Sequence, residues 1–314
     1  MTSCISSKET VPAQDLQITK PSPVPTFTST PVGPLSSHNW SQTNPLITFG
    51  DSGGDGNCGF LSVLPSPFIL YPNGELFISD WNSTISGYEI SHAELSKEEV
   101  CNLLNSIDQA GFFEYDPSTY IDSPDSWIPP VFGAGKITIT IEGWQTNSVS
   151  LYGLDYFIQE METGKAYSGC LKCNNTNYPT ILPAIKNTFV LLRDYRPEQL
   201  TVYDYERLGV WIDKSDLGLE PTSWPILSID LEKYIAQEGK SSTEPNIILT
   251  GQNAQKVYNL MGNSIQQCGI NFIQNGEIYR VFARPLLPDE FTSSTSTQPY
   301  EFSCSPSDGY VSHN

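Results

Sequence analysis

PFILYPNGELFIS (residues 67–79) and SKEEVCNLLNSIDQAGFF (96–113) decide the fold class. In the first stretch, apolar runs at 67–71 and 75–79 flank Pro72-Asn73-Gly74. Asn-Gly adopts the positive-φ turn that joins antiparallel strands, so the stretch predicts a hairpin. In the second, Ser96 and Glu99 have the spacing of a capping box. Val100, Leu103, Leu104 and Ile107 then recur at i, i+3, i+4 and i+7, which predicts one apolar helix face over 96–110. Gly111 supplies a left-handed stop, and Phe112-Phe113 follow as an apolar anchor. With a strand at 46–49, this makes a strand–hairpin–helix module over 44–122.

Outward from there, Pro117, Pro124, Pro129 and Pro130 mark a loop. KITITI (136–141) alternates β-branched and hydroxyl residues, and 148–152 is its expected partner. Pro183 suits the first turn of a helix over 182–193. A strand is expected at 208–212, a helix over 231–238 capped by Asp230 and ended by Gly239, and a helix at 254–261 closed by Gly262. Asn275-Gly276 predicts a second hairpin, 270–274 with 277–283. The second module spans 132–290. The two hairpins read as convergent turns rather than an internal repeat. The fold class is therefore α+β: antiparallel hairpin sheets packed with a few helices between disordered N- and C-terminal tails. Val257 and Met261 join the apolar positions of the first helix in the expected core.

The terminal stretches have another character. Residues 1–43 contain Pro12, Pro21, Pro23, Pro25, Pro31 and Pro34 among many Ser and Thr. Such a stretch lacks the apolar surface to offset its ordering entropy and reads as a semi-extended spacer. Residues 291–314 are again low in complexity and expected to be flexible. Met1-Thr2-Ser3-Cys4 resembles the end of a bacterial lipobox, in which the cysteine receives diacylglycerol. On that reading Met1 is an internal methionine, Cys4 is the lipidation site, and the protein is extracytoplasmic and membrane-bound only through its lipid. A literal reading, with no apolar segment ahead of Cys4, is a cytoplasmic protein with a disordered tail.

Charge narrows the partners. The 314 residues hold 16 Lys+Arg against 35 Asp+Glu, a formal charge of −19. Without a basic cluster the chain is unsuited to nucleic acid or to adsorption on anionic lipid. Charged residues make up 16% of the chain, but the 38% hydrophobic content supports a core. Seven cysteines, less a lipidated Cys4, leave six. Cys170 and Cys173 form the one CxxC and are the leading disulfide candidates; Asn174-Asn175 after them is loop chemistry, not the helix a redox motif opens. Cys101, inside a helical pattern, reads as a buried free thiol. One or two disulfides are expected.

Gly50-Asp51-Ser52-Gly53-Gly54 invites a serine-hydrolase reading. Gly53, Gly54, Gly56 and Gly59 preclude the helix that must follow a nucleophile elbow. A trypsin-like order needs its histidine upstream, where only His38 stands, and an esterase needs a late Asp-x-x-His that Asp308 and His313 do not make. Asp51, Asp55 and Asn57 lack the bidentate acid of a calcium loop. Asp122 and Asp125 read as a solvated loop, and the aromatics mostly as core. Asn39, Asn82 and Asn174 open glycosylation sequons that arise by chance in an Asn/Ser/Thr-rich chain. The expectation is no catalysis, no metal and no cofactor.

Ser52-Gly53-Gly54 after a short strand, then a long helix opening Leu95-Ser96 with Glu98-Glu99 and ending Ala110-Gly111-Phe112-Phe113, resembles the emfourin family over about 46–115. Emfourins are small bacterial inhibitors of thermolysin-type metalloproteases. The family pattern has a basic residue before Ser-Gly-Gly and an apolar one after it, where this chain has Asp51 and Asp55. The resemblance implies the module's architecture and a protein-binding role for Ser52, Gly53 and Gly54. The expected function is a surface-displayed, non-catalytic module that binds a protein, protease-inhibitor-like in kind. The competing classes are a carbohydrate-binding protein and a glycan hydrolase built on carboxylates.

Overall fold

The computed structural model describes residues 38–41, 45–51, 63–114, 136–142, 146–152, 182–235, 243–262, 268–288, 290–291, 299–302 and 304. The capping box forms as the sequence predicts. Ser96 Oγ accepts from the Glu99 backbone N–H at 3.2 Å, and Glu99 Oε2 accepts from the Ser96 backbone N–H at 2.7 Å. They open helix α1 (Lys97–Gln109), and Gly111 beyond its C-cap takes φ +84°. Donation to the Glu99 carboxylate from the Ser96 backbone N–H and from the Ser96 hydroxyl, with a further bond from Gln199, holds that carboxyl below the usual carboxylate range.

The helix lies on a seven-stranded antiparallel sheet. Its strands are β2 (Ile47–Asp51), β3 (Phe68–Leu70), β4 (Glu75–Asn82), β5 (Gly87–Glu94), β6 (Lys136–Glu142), β7 (Thr146–Tyr152) and β8 (Thr201–Val202), in the order β7-β6-β2-β3-β4-β5-β8. Helix α2 (Leu182–Asp194) packs beside α1. Val100, Leu103, Leu104 and Ile107 are buried with Ile185, Phe189 and Leu192 against Leu76, Ile78, Ile139 and Ile141. A side chain as fully buried as Ile107 contributes about 1.5–3 kcal/mol.

A five-stranded sheet follows, in the order β10-β12-β13-β9-β11. Its strands are β9 (Arg207–Asp213), β10 (Thr222–Ser223), β11 (Ile247–Thr250), β12 (Ile270–Gln274) and β13 (Glu277–Pro285). Asn275 and Gly276 both have positive φ, as a tight hairpin turn requires. Helix α3 (Gly251–Leu260) buries Ala254, Val257 and Tyr258 against one face, joined by Met261 at its C-cap. The opposite faces of the two sheets meet through Ile69, Phe77 and Ile90 on one side and Trp211 and Phe282 on the other. Strand alternation produces this arrangement: Leu76 and Ile78 face the helices, while Phe77 between them faces the second sheet. The layers run helix, sheet, sheet, helix, an α+β architecture dominated by antiparallel pairing.

Three expectations need correction. The division at 122–132 is not the boundary between sheets, which falls at 203–206. β6 and β7 pair with β2 because Ile137, Ile139 and Ile141 complete the first sheet's core. Within the stretches expected as tails, β1 (His38–Ser41) pairs antiparallel with β14 (Pro299–Phe302). Cys101 is not a free thiol. It is bonded to Cys304, 203 residues later, and both lie in the core of the first sheet. Cys268 is also disulfide-bonded, to a partner outside the described residues. Finally, the described part of the 231–238 helix is one 3₁₀ turn, Leu231–Tyr234, and Asp230 makes no side-chain cap. The Leu231 backbone N–H donates instead to Gln274 Oε1 at 2.7 Å, a tertiary bond from β12 that fixes the turn.

Candidate functional site

The two ends of the seven-stranded sheet are built differently. At one end the connections are tight. Gly74 N–H donates to Tyr71 O at 3.0 Å, closing the β3–β4 turn, and Leu95 N–H donates to Gly74 O at 2.8 Å. Gly74 has φ +93°, and a Cβ there would run into the Leu95 carbonyl, so glycine is required.

The other end receives the long connections. β2 ends at Asp51, which pairs with Ile137 of β6, and Lys136 of β6 pairs with Tyr152 of β7. Segments 52–62, 115–135 and 153–181 therefore join the sheet at neighbouring positions. The β4–β5 hairpin tip lies at the same end, with Trp81 paired to Tyr88 and Asn82 to Gly87. Long connections carried by a rigid sheet are where binding groups concentrate.

Trp81 is 53% exposed, and its ring meets Tyr88 edge to face with centroids 5.3 Å apart. Beneath it on the same face, Ser79 is buried, and among the described residues its hydroxyl has no hydrogen-bond partner. On the opposite face Asp80 accepts two hydrogen bonds from Arg196 Nη2, at 2.8 and 2.7 Å. Arg196 Nη1 also donates to the carbonyls of Arg193 and Tyr195, so the strand is pinned behind the indole. The result is a large amphipathic ring held on a rigid strand, which offers contact area at little cost in conformational entropy.

A second group sits between the sheets. His92 lies on Phe77 with centroids 4.8 Å apart, its Nε2 is 4.0 Å from Glu75 Oε1, and Tyr203 is 6.0 Å away. Burial pushes the Tyr203 hydroxyl up to about 12, so it stays protonated through the neutral range and donates to Leu286 O at 3.2 Å. This group seals the wall between the layers. Among the described residues no three His, Cys, Asp or Glu side chains stand close enough to hold a metal ion.

Cys4, Ser52, Gly53, Gly54, Cys170 and Cys173 all lie outside the described residues; the structure fixes only where the chain leaves β2 toward Ser52. Trp81 and Tyr88 escaped the sequence reading, which ended the strand at 79 and took Asn82-Ser83-Thr84 as a chance sequon. Continuing the alternation of Phe77 and Ser79 to Trp81 would have placed the indole on the inner face beside the turn. Among the described helices none is long and apolar enough to cross a membrane. Compared with known proteins, the chain gives no significant match to a family model, a curated protein or a solved structure.

Proposed function

We propose that the protein is an extracytoplasmic, non-catalytic binding module, tethered to a bacterial membrane through a lipid on Cys4, that recognises a protein partner. The recognition end is the one where β2 leads into Ser52, Gly53 and Gly54. The observation that carries this reading is Trp81, 53% exposed on a strand pinned by the Asp80–Arg196 pair. The compartment is supported by cysteine use: Cys101, Cys268 and Cys304 are all disulfide-bonded, as suits an oxidising environment. The spacer from Cys4 to β1 would reach on the order of 30 Å as a flexible chain, enough to hold the globular part clear of the headgroups. The emfourin-like pattern over 46–115 favours a protease-inhibitor-like partner within this class. Exposed indole also stacks on sugar rings, which favours carbohydrate binding as the second reading.

The test uses the full chain and a Trp81→Ala variant of unchanged melting temperature. A thermolysin-type protease bound or slowed at micromolar concentration by the parent, and not by the variant, is the expected result. Envelope proteins retained by the parent and lost on Trp81→Ala would support a partner of another kind. If neither occurs, and glycan oligosaccharides bind the parent but not the variant, the carbohydrate reading replaces this one.

A further inference from the structure

We propose that β7 is a self-association edge: two copies of this chain pair antiparallel through Thr146–Tyr152, about a two-fold axis at Val149. The paired sheets become one continuous sheet across the dimer.

The sheet edges suggest it. β7, β8, β10 and β11 are the terminal strands of the two larger sheets. β8 and β10 span two residues each and β11 spans four, the shortness by which proteins blunt unpaired edges. β7 spans seven residues, TNSVSLY, with no charge and no proline. Among the described residues no strand pairs with its outer side. Its seven residues carry neither of the sequence guards against pairing, charge or proline.

The residue pattern selects a second copy as the occupant. Across β6 and β7, Thr138 Oγ1 meets Ser150 Oγ at 2.7 Å and Thr140 Oγ1 meets Ser148 Oγ at 2.9 Å. One face of this edge is thus a ladder of paired hydroxyls, while Val149 and Asn147 point into the core. An antiparallel copy centred on Val149 sets Ser148 opposite the partner's Ser150, and Ser150 opposite the partner's Ser148. Each hydroxyl row then continues across the axis into the partner's Thr–Ser pair. Side-chain alternation keeps core positions opposite core positions. The residues of β7 are themselves uncharged, and the nearest carboxylate, Glu142, is bonded to the hydroxyl of Thr146 at the end of the strand, at 2.6 Å. A two-fold contact between the same edge of two copies stops at the dimer, and the register centred on Val149 pairs all seven residues of the strand.

Because a lone strand pair is a weak contact, the full chain should be a monomer at low micromolar concentration and shift toward twice its 34.8 kDa mass as concentration rises. Sedimentation equilibrium reads this directly. Ser148→Lys/Ser150→Lys places lysine opposite lysine in the proposed register, and Ser148→Glu/Ser150→Glu places glutamate opposite glutamate. Each variant alone should associate about tenfold more weakly than the parent. Their equimolar mixture should recover or exceed the parent's association. Backbone hydrogen exchange over 146–152 in the parent should slow with concentration. If a double variant melts early, Ser148→Lys and Ser148→Glu, at the exposed position, give a weaker, diagonal comparison, because residue 148 faces the partner's Ser150 and lies one pair away from the partner's residue 148. A parent of constant mass to millimolar concentration would overturn the proposal. So would variants that associate as the parent does, or a mixture no stronger than its components.

Discussion

Arg284 and Glu290 meet through two parallel hydrogen bonds, Nη1 to Oε2 at 2.7 Å and Nη2 to Oε1 at 2.8 Å, with the arginine side chain 5% exposed. Arg284 Nε donates to the Val63 carbonyl, and the guanidinium lies over the Trp211 ring at 5.3 Å. Arg207 grips the same turn from outside, donating to the carbonyls of Leu287, Pro288 and Glu290. The turn they hold seats Leu286 and Leu287 in the cluster between the sheets.

Removing one member of a buried, forked pair strands the other. Arg284→Met should destabilise the fold by about 3–5 kcal/mol, and Glu290→Gln, at a more exposed carboxylate, by less. A double-mutant cycle in urea should give a coupling of about 0.5–3 kcal/mol between the two. Strictly additive losses would mean that the pair contributes only through its separate contacts.

The Cys101–Cys304 bond closes a loop of 203 residues, where the chain-entropy account gives about 5 kcal/mol, near the top of the measured range. Cys101→Ser/Cys304→Ser should lower unfolding stability by about 2–5 kcal/mol. Hydrogen exchange over 38–41 and 299–302 should accelerate before the rest of the first sheet. Denaturant titration with exchange by mass spectrometry checks both, and unchanged stability would refute the structural role.

Gly74 cannot carry a side chain without displacing the Leu95 carbonyl, and its φ of +93° is strained for any other residue. Gly74→Ala should cost more than the ~1 kcal/mol of an ordinary turn glycine, because it disturbs both the β3–β4 turn and the entry to α1. Gly276, also at positive φ but with open space around it, is the control and should cost less.

Tyr203 supplies a pH dependence. Its hydroxyl holds its proton to about 12 through burial, above the ~10 of an exposed tyrosine. The folded state therefore binds the proton more tightly than the unfolded one. This contribution is fully present below pH ~10 and is lost as pH rises toward about 12. Thermal melts between pH 8 and 12 should show a steeper alkaline decline for the parent than for Tyr203→Phe. Parallel declines would place the alkaline sensitivity elsewhere.

The parts of the fold legible in the sequence were those where several local signals coincide. In α1 a capping box, a 3.6-residue apolar period and a stop glycine agree, and the observed ends differ from the expected ones by one residue. Asn275-Gly276 specified its own turn. What could not be read was membership. The KITITI strand was recognisable, but only the packing of Ile137, Ile139 and Ile141 decides which sheet it joins. β5 was missed because Tyr88, Glu89, Ser91 and His92 interrupt its pattern, leaving Ile90 and Ala93 as its buried apolar residues. The disulfide partner of Cys101 lay far outside any local window. The proposed recognition end was half visible: Ser52-Gly53-Gly54 stood out as a turn, while Trp81 acquires meaning only once β4 is seen to run on to the same end of the sheet.

The bond between Cys101 and Cys304 also changes what a protease can accomplish. Residues 102–303 lie inside the covalent ring it closes. A backbone cut anywhere in that span yields two polypeptides that remain one molecule until a thiol reductant separates them. A nicked chain would run as a single species without reductant and as two fragments with it, so cleavage of the connecting segments need not release any piece of the fold.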